Sequence, residues 1–275
     1  MRQFSHLVFY FCEGEYDIIQ TPQIFRERVR DLAKAGYTGV ELMVRDAQYV
    51  DIAMLQSALK ENNLKVSAVG SGKVYTQDHL CFCSQYASVR QRAVQRIKNH
   101  IDLAVELEGN PPVILGSIRG GEPDVCQCGM LNVEDCLRQC AQYAAEKSAR
   151  IAVEPITRLE ISYINTVQEA VEMVERIGVS SLGIAIDSFN LDLEERDVSE
   201  AIRLAGKHIF YAQVADTRRY YPSWGHFDFD GFFKALKETG YQGFVGVEPE
   251  EYENGPVEDA KLGLEYLKKN YGDMI

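Results

Sequence analysis

The chain has 275 residues, 46% hydrophobic and 25% charged, with 29 Lys plus Arg against 41 Asp plus Glu and a formal net charge of −12. That length suits one large α/β domain. The acidic balance argues against nucleic acid or an anionic membrane as partner, since both need a basic footprint, and no apolar run approaches the roughly 18 residues of a membrane helix.

The first residues pass directly into an apolar run without the pattern of a signal peptide. Seven cysteines in a chain too large to need disulfide staples read as reduced thiols, so a cytoplasmic setting is expected. The pairs Cys81/Cys83 and Cys126/Cys128 invite comparison with soft-metal ligands, but they lack the spacing of a zinc knuckle.

The first strand is expected at 6–12. A helix over 22–35 follows, with Pro22 in its first turn and Gly36 after its end. A strand at 39–44, a helix at 52–63 and a strand at 65–70 come next. Residues 71–86 read as a long loop of functional type, before a helix over 88–108 and a strand at 112–118. A second Gly-rich loop, a helix over 133–147 and the strand ending at Glu154 complete the middle of the chain. Thr166 and Glu169 form a capping box for a helix reaching Ile177, which Gly178 ends. Strands ending near Asp187, Asp216 and Glu248 then alternate with helices near 198–205, 229–239 and 258–269.

Eight such β-then-α units with no linker between them predict a parallel sheet closed into a single (β/α)8 TIM barrel over 1–275. The rival, an open doubly wound sheet, would show a Gly-rich phosphate turn after its first strand. Residues 12–16 hold one glycine only.

In such a barrel the active site lies at the carboxyl ends of the strands. Glu154 stands where a buried β-branched strand stops against Pro155. Asp187, Gln213 and Glu248 hold equivalent places on the next three strands. Three carboxylates converging on one rim repel one another unless a cation neutralises them. An all-oxygen set of this charge suits a divalent metal ion, Mn²⁺ first, with Mg²⁺, Co²⁺ or Zn²⁺ as alternatives. Taken singly, each acid reads as well as a helix cap or a lysine partner.

The run Val153-Glu154-Pro155 with Arg158, then Asp187, then Val214-Ala215-Asp216 with Arg219, then Val247-Glu248, resembles the sugar phosphate isomerase/epimerase family of xylose isomerase-like TIM barrels. The likeness extends to 40–46, 69–72, 154–160, 164–166 and 225–229, and so over nearly the whole chain. It is strongest toward the D-tagatose 3-epimerase and 5-keto-L-gluconate epimerase branches. The resemblance implies that Glu154 and Glu248 are a metal-bound acid/base pair and that Asp187 is a metal ligand. It implies that Gln213 takes the place of a metal-binding histidine, as in the hydroxypyruvate isomerase branch. Asn190, in place of another histidine, Arg219 and Glu160 are implied to contact substrate. The expected reaction is 3-epimerisation of a 2-keto sugar or keto sugar acid, through deprotonation and reprotonation. The alternatives are a hydroxypyruvate-isomerase-like aldose–ketose isomerase and an inosose-dehydratase-like lyase.

Other residues near the predicted mouth carry weaker expectations. His226 either donates to substrate or ties its loop. Trp224 and Tyr10 either wall the pocket or belong to the core. Glu41 either pairs with Arg45 or supports the site from behind, and Asp216 orients Arg219. The expected partner is a small sugar or sugar acid, bound by a monomer or a homo-oligomer. An endonuclease-like barrel would need more ligands and a basic face than five histidines and this charge supply.

Overall fold

The structure, a computed structural model, describes residues 3–10, 22–121 and 126–272. Eight parallel strands close into a barrel in sequential order: β1 (Phe4–Tyr10), β2 (Gly39–Val44), β3 (Lys65–Gly70), β4 (Val113–Leu115), β5 (Ile151–Val153), β6 (Leu182–Asp187), β7 (Ile209–Val214) and β8 (Val245–Val247). Closure is made by β1 pairing with β8, with His6 opposite Val247. The helices are α1 (Pro22–Ala35), α2 (Ile52–Glu61), α3 (Gly72–Asp78), α4 (Ala87–Glu106), α5 (Gly129–Glu146), α6 (Val167–Ile177), α7 (Ser188–Glu194), α8 (Val198–Ala205), α9 (Phe229–Glu238) and α10 (Pro256–Tyr271).

The predicted barrel is therefore present, and β2, β3 and β6 hold their expected limits. Two elements were not foreseen. The segment read as one long loop after β3 contains α3, and α7 begins directly at the end of β6. Asp187, its N-cap, accepts from the Phe189 N–H, so strand and helix share that residue. The Cys12 end of the first predicted strand and the Tyr10 side chain lie outside the described residues.

Side chains alternate across each strand, and that period separates two cores. Outward residues such as Val40, Leu42, Val69, Val113, Ile184 and Val214 join the helices in one continuous apolar layer. Inward residues form a small second cluster of Ala68, Ile114, Ala152, Ala185 and Tyr211. Its alanines leave room for the single Tyr211 ring, whose hydroxyl meets Ser5 Oγ at 3.0 Å and Ser67 Oγ at 2.9 Å.

Two residues further along several of these strands is the next inward position. Ala152 leads to Glu154, Ala185 to Asp187, Tyr211 to Gln213 and Gly246 to Glu248. The residues expected at the rim are thus the layer directly above the barrel's plug, and the strand period alone places them there.

Candidate active site

Oxygens of Glu154, Asp187 and Glu248 lie within 4.8 Å of one another, and all three residues are buried. Among the described residues this is the one group of three or more acidic, His or Cys side chains with metal-ligand spacing. It opens onto a cavity of about 160 Å³ at the carboxyl end of the barrel, lined among others by Glu41, Lys73, Ser117, Glu160, Arg219 and Glu250. A larger hollow of about 580 Å³ lies at the opposite end, bounded by Lys65, Arg150, Phe210 and Phe244. It contains none of the clustered carboxylates.

Two amides hold the acids in register. Gln213 Nε2 donates to Glu248 Oε2 at 2.7 Å and to Glu41 Oε1 at 2.9 Å. Asn190 Nδ2 donates to Glu154 Oε1 at 3.1 Å and Asp187 Oδ2 at 3.0 Å, while its Oδ1 accepts from the Thr157 N–H at 3.1 Å. Asn190, expected as a substrate contact, ties two carboxylates together in this structure.

Arg219 is the counter-charge. Its guanidinium lies 3.5 Å from Asp187 Oδ2, 3.9 Å from Glu248 Oε2 and 3.7 Å from Glu250 Oε1, over the Phe189 ring. These carboxylates raise its pKa above the usual arginine value despite its burial. The loop presenting it is strained, with Arg218 at φ 59° and Arg219 at φ 60°, which costs about 1–3 kcal/mol per residue. Asp216 offsets that cost by accepting backbone N–H bonds from Thr217, Ser223 and Phe227. Its predicted orienting role is therefore exerted through the loop.

One buried guanidinium does not satisfy so many acids. Burial, and next the Asp187 charge, push Glu154 up to about 8. Burial also raises Asp187, and burial with Glu41 lifts Glu248 well above the carboxylate range. Glu41 is pushed up to about 7, again chiefly by burial.

The donor set fits a divalent cation. Both Gln213 amide hydrogens are committed to carboxylates, leaving Gln213 Oε1 buried without a partner. A buried orphan carbonyl oxygen beside three carboxylates is what hard-cation coordination uses. Space is reserved as well, since a Cβ at Gly116 would come within 2.8 Å of Glu154 Oε2.

Glu160 lines the mouth as expected. His226 does not join the group: it is exposed, and its backbone N–H and its ring meet Thr217 Oγ1. Trp224 stacks on Tyr220 at 3.8 Å and is not a lining residue. The pairing of Glu41 with Arg45 is not found, because Arg45 Nη2 binds Asp78 Oδ1 at 2.6 Å while Glu41 accepts from Gln213. Asp78 ends α3, the helix missing from the sequence reading.

Arg119 was not anticipated either. Fully buried, it donates to the carbonyls of Leu115, Gly116, Tyr163 and Ile164 and so staples the end of β4 to the loop after β5. Burial lowers it to about 10, opposed by Glu154. An arginine between Ile118 and Gly120 carries no local signal of burial, so only the tertiary structure exposes this role. Lys73 and Ser117 were equally invisible as lining residues.

A family model described as the xylose isomerase-like TIM barrel matches residues 29–270. A ketose 3-epimerase from Arthrobacter globiformis is 26% identical over 225 residues, covering 81% of this chain and 76% of its own. A 3-dehydro-D-guloside 4-epimerase from Escherichia coli is 24% identical over 90% of this chain and 95% of its own. Among solved structures, the D-allulose 3-epimerase from Methylomonas sp. in complex with D-allulose superposes with a TM-score of 0.83 at 20% identity, over 98% of each chain. The agreement of fold with the family model over almost the full length is decisive: this chain belongs to the xylose isomerase-like TIM barrel family.

Proposed function

We propose that the protein is a divalent-metal-dependent epimerase that inverts C3 of a 2-keto sugar or keto sugar acid. The observation that carries this reading is the buried Glu154–Asp187–Glu248 cluster with Gln213 Oε1 unpartnered beside it. The relatives named as ketose 3-epimerase and L-ribulose 3-epimerase, each matched over 81% of this chain, support the same reaction class.

Glu154, Asp187, Gln213 and Glu248 are the residues that would hold the cation, Mn²⁺ by preference for an all-oxygen set. Its contribution when bound is Lewis-acid stabilisation of the charge that develops on the keto oxygen. The remaining chemistry belongs to the chain. Glu154 follows β5 and Glu248 follows β8, and both line the cavity. One carboxylate removes the C3 proton, and the other returns a proton to the opposite face, which inverts the carbon. Positioned carboxyl groups of this kind serve as general acid and general base. Arg219 and Glu160 hold substrate oxygens, the arginine as a fixed fork of donors. Asn190 keeps Glu154 and Asp187 at a constant separation.

A lyase reading has one observation in its favour. A 3-dehydroshikimate dehydratase from Pseudomonas aeruginosa is 26% identical over 81% of this chain, although this covers only 35% of its own length. Proton removal beside a ketone is common to both reactions, and they diverge at whether a hydroxyl then leaves. The deciding experiment incubates metal-stripped protein with a panel of ketoses and keto sugar acids, with and without Mn²⁺, and reads products by NMR. A C3 epimer formed only with metal supports the proposal. An aldose, a dehydrated product or no conversion across the panel contradicts it.

A further inference from the structure

Glu41 is a fourth buried carboxylate, 1% exposed, on the inner face of β2. It is not part of the clustered metal-ligand group, yet it contacts that group through Gln213, whose Nε2 donates to Glu41 Oε1 at 2.9 Å and to Glu248 Oε2 at 2.7 Å. A primary amide has two hydrogens on nitrogen, and these two acceptors use both of them. The flipped amide would turn Gln213 Oε1 toward the Glu41 and Glu248 oxygens that now accept from Nε2. That orientation places like partial charges together in a buried site and takes both N–H donors away from their carboxylate acceptors. Glu248 is itself placed among the ligands, so its geometry has to serve the cation. Glu41 is the acceptor free to serve Gln213.

The barrel is hollowed to accommodate it. On β8, a Cβ added at Gly246 would come within 2.6 Å of the Tyr211 hydroxyl and 2.9 Å of Glu41 Oε2.

We propose that Glu41 is a positioning residue that locks the Gln213 amide with its carbonyl oxygen turned to the metal site, acting as a hydrogen-bond acceptor more than as a charge. This inference rests on the proposed ligand set. Second-layer partners of this kind fix ligand orientation, and their loss costs about 10–100-fold in metal affinity.

The test measures Mn²⁺ affinity by the EPR signal of free Mn²⁺, in protein verified as folded by circular dichroism. Two unbranched replacements of similar length separate the roles. Glu41→Gln retains an acceptor oxygen, and Glu41→Met removes it with little change in volume. Glu41→Gln should bind Mn²⁺ within about threefold of wild type and Glu41→Met about 10–100-fold more weakly. Adding Glu41→Met to Gln213→Leu should weaken binding no further than Gln213→Leu alone, since the residue then has nothing to orient. Wild-type affinity in Glu41→Met, equal losses in the Gln and Met variants, or additive losses in the double variant would each overturn the inference while the ligand set stands. Wild-type protein that binds no Mn²⁺ overturns the proposed function, and this inference with it.

Discussion

Glu154 and Glu248 combine two properties that ordinarily exclude each other, full burial and a capacity to carry charge. Each is 8% exposed, and each sits among further acids. An amide at either position keeps the shape and removes the proton-accepting oxygen. Glu154→Gln and Glu248→Gln are therefore expected to lower kcat by about 10²–10⁴-fold each, with an unchanged circular dichroism spectrum. Activity within threefold of wild type in either variant would remove that residue from the acid/base role.

His6 supplies a separate, acid-side prediction. Its ring is buried with Nε2 unpartnered, edge-on to Tyr37, and burial lowers its pKa to about 4. The unfolded chain takes up the proton near the ordinary histidine value of 6.5, while the folded chain resists until about 4. The stability contribution is thus complete above pH 6.5 and is lost as pH falls toward 4. From pH 7 to pH 5 the loss is about 2 kcal/mol. Denaturant melts should show His6→Phe gaining that amount relative to wild type across this interval. Parallel pH profiles for the two proteins would contradict it.

At the scale of elements, strands and caps are the legible part. The Thr166–Glu169 capping box read from the sequence is present in full, with Thr166 Oγ1 accepting from the Glu169 N–H at 3.3 Å and Glu169 Oε2 accepting from the Thr166 N–H at 3.1 Å. Thr166→Ala should cost about 1 kcal/mol, read as a fall of about 2–4 °C in Tm. No change in Tm would show the cap to be idle. The strand period also delivered Glu154, Asp187, Gln213 and Glu248 to a shared layer, because alternation is a local property that survives into the barrel.

What stayed hidden depends on contacts between distant segments. Arg45 and Glu41 share the end of β2 and invite a pairing, but α3 brings Asp78 to Arg45 and β7 brings Gln213 to Glu41. Helix α7 follows β6 with no separating loop, Asp187 serving as its N-cap, so no turn residues marked its start in the sequence. His226 lies near the rim in sequence, yet its loop turns outward and bonds to Thr217.

For the whole molecule, the proposed cation, held by residues of four strands, would act on the fold as well as on the substrate. A ligand that binds only the folded state stabilises it by about 2.7 kcal/mol at a hundred times its Kd. Saturating Mn²⁺ should therefore raise the Tm of metal-stripped protein by several degrees, and Asp187→Asn should abolish the shift. An equal shift in the variant would place the ion elsewhere. No helix among the described residues is long and apolar enough to cross a membrane.

Carbon–hydrogen chemistry at C3 between two buried glutamates is the centre of this account, and solvent deuterium reads it directly. Mn²⁺-loaded protein is incubated in D₂O with a ketose that it converts, and both recovered substrate and product are examined by NMR. The expected result is deuterium at C3 of the product and none at C1, with label in substrate only as far as the reaction reverses. Product carrying protium at C3, or label confined to C1, would contradict the mechanism.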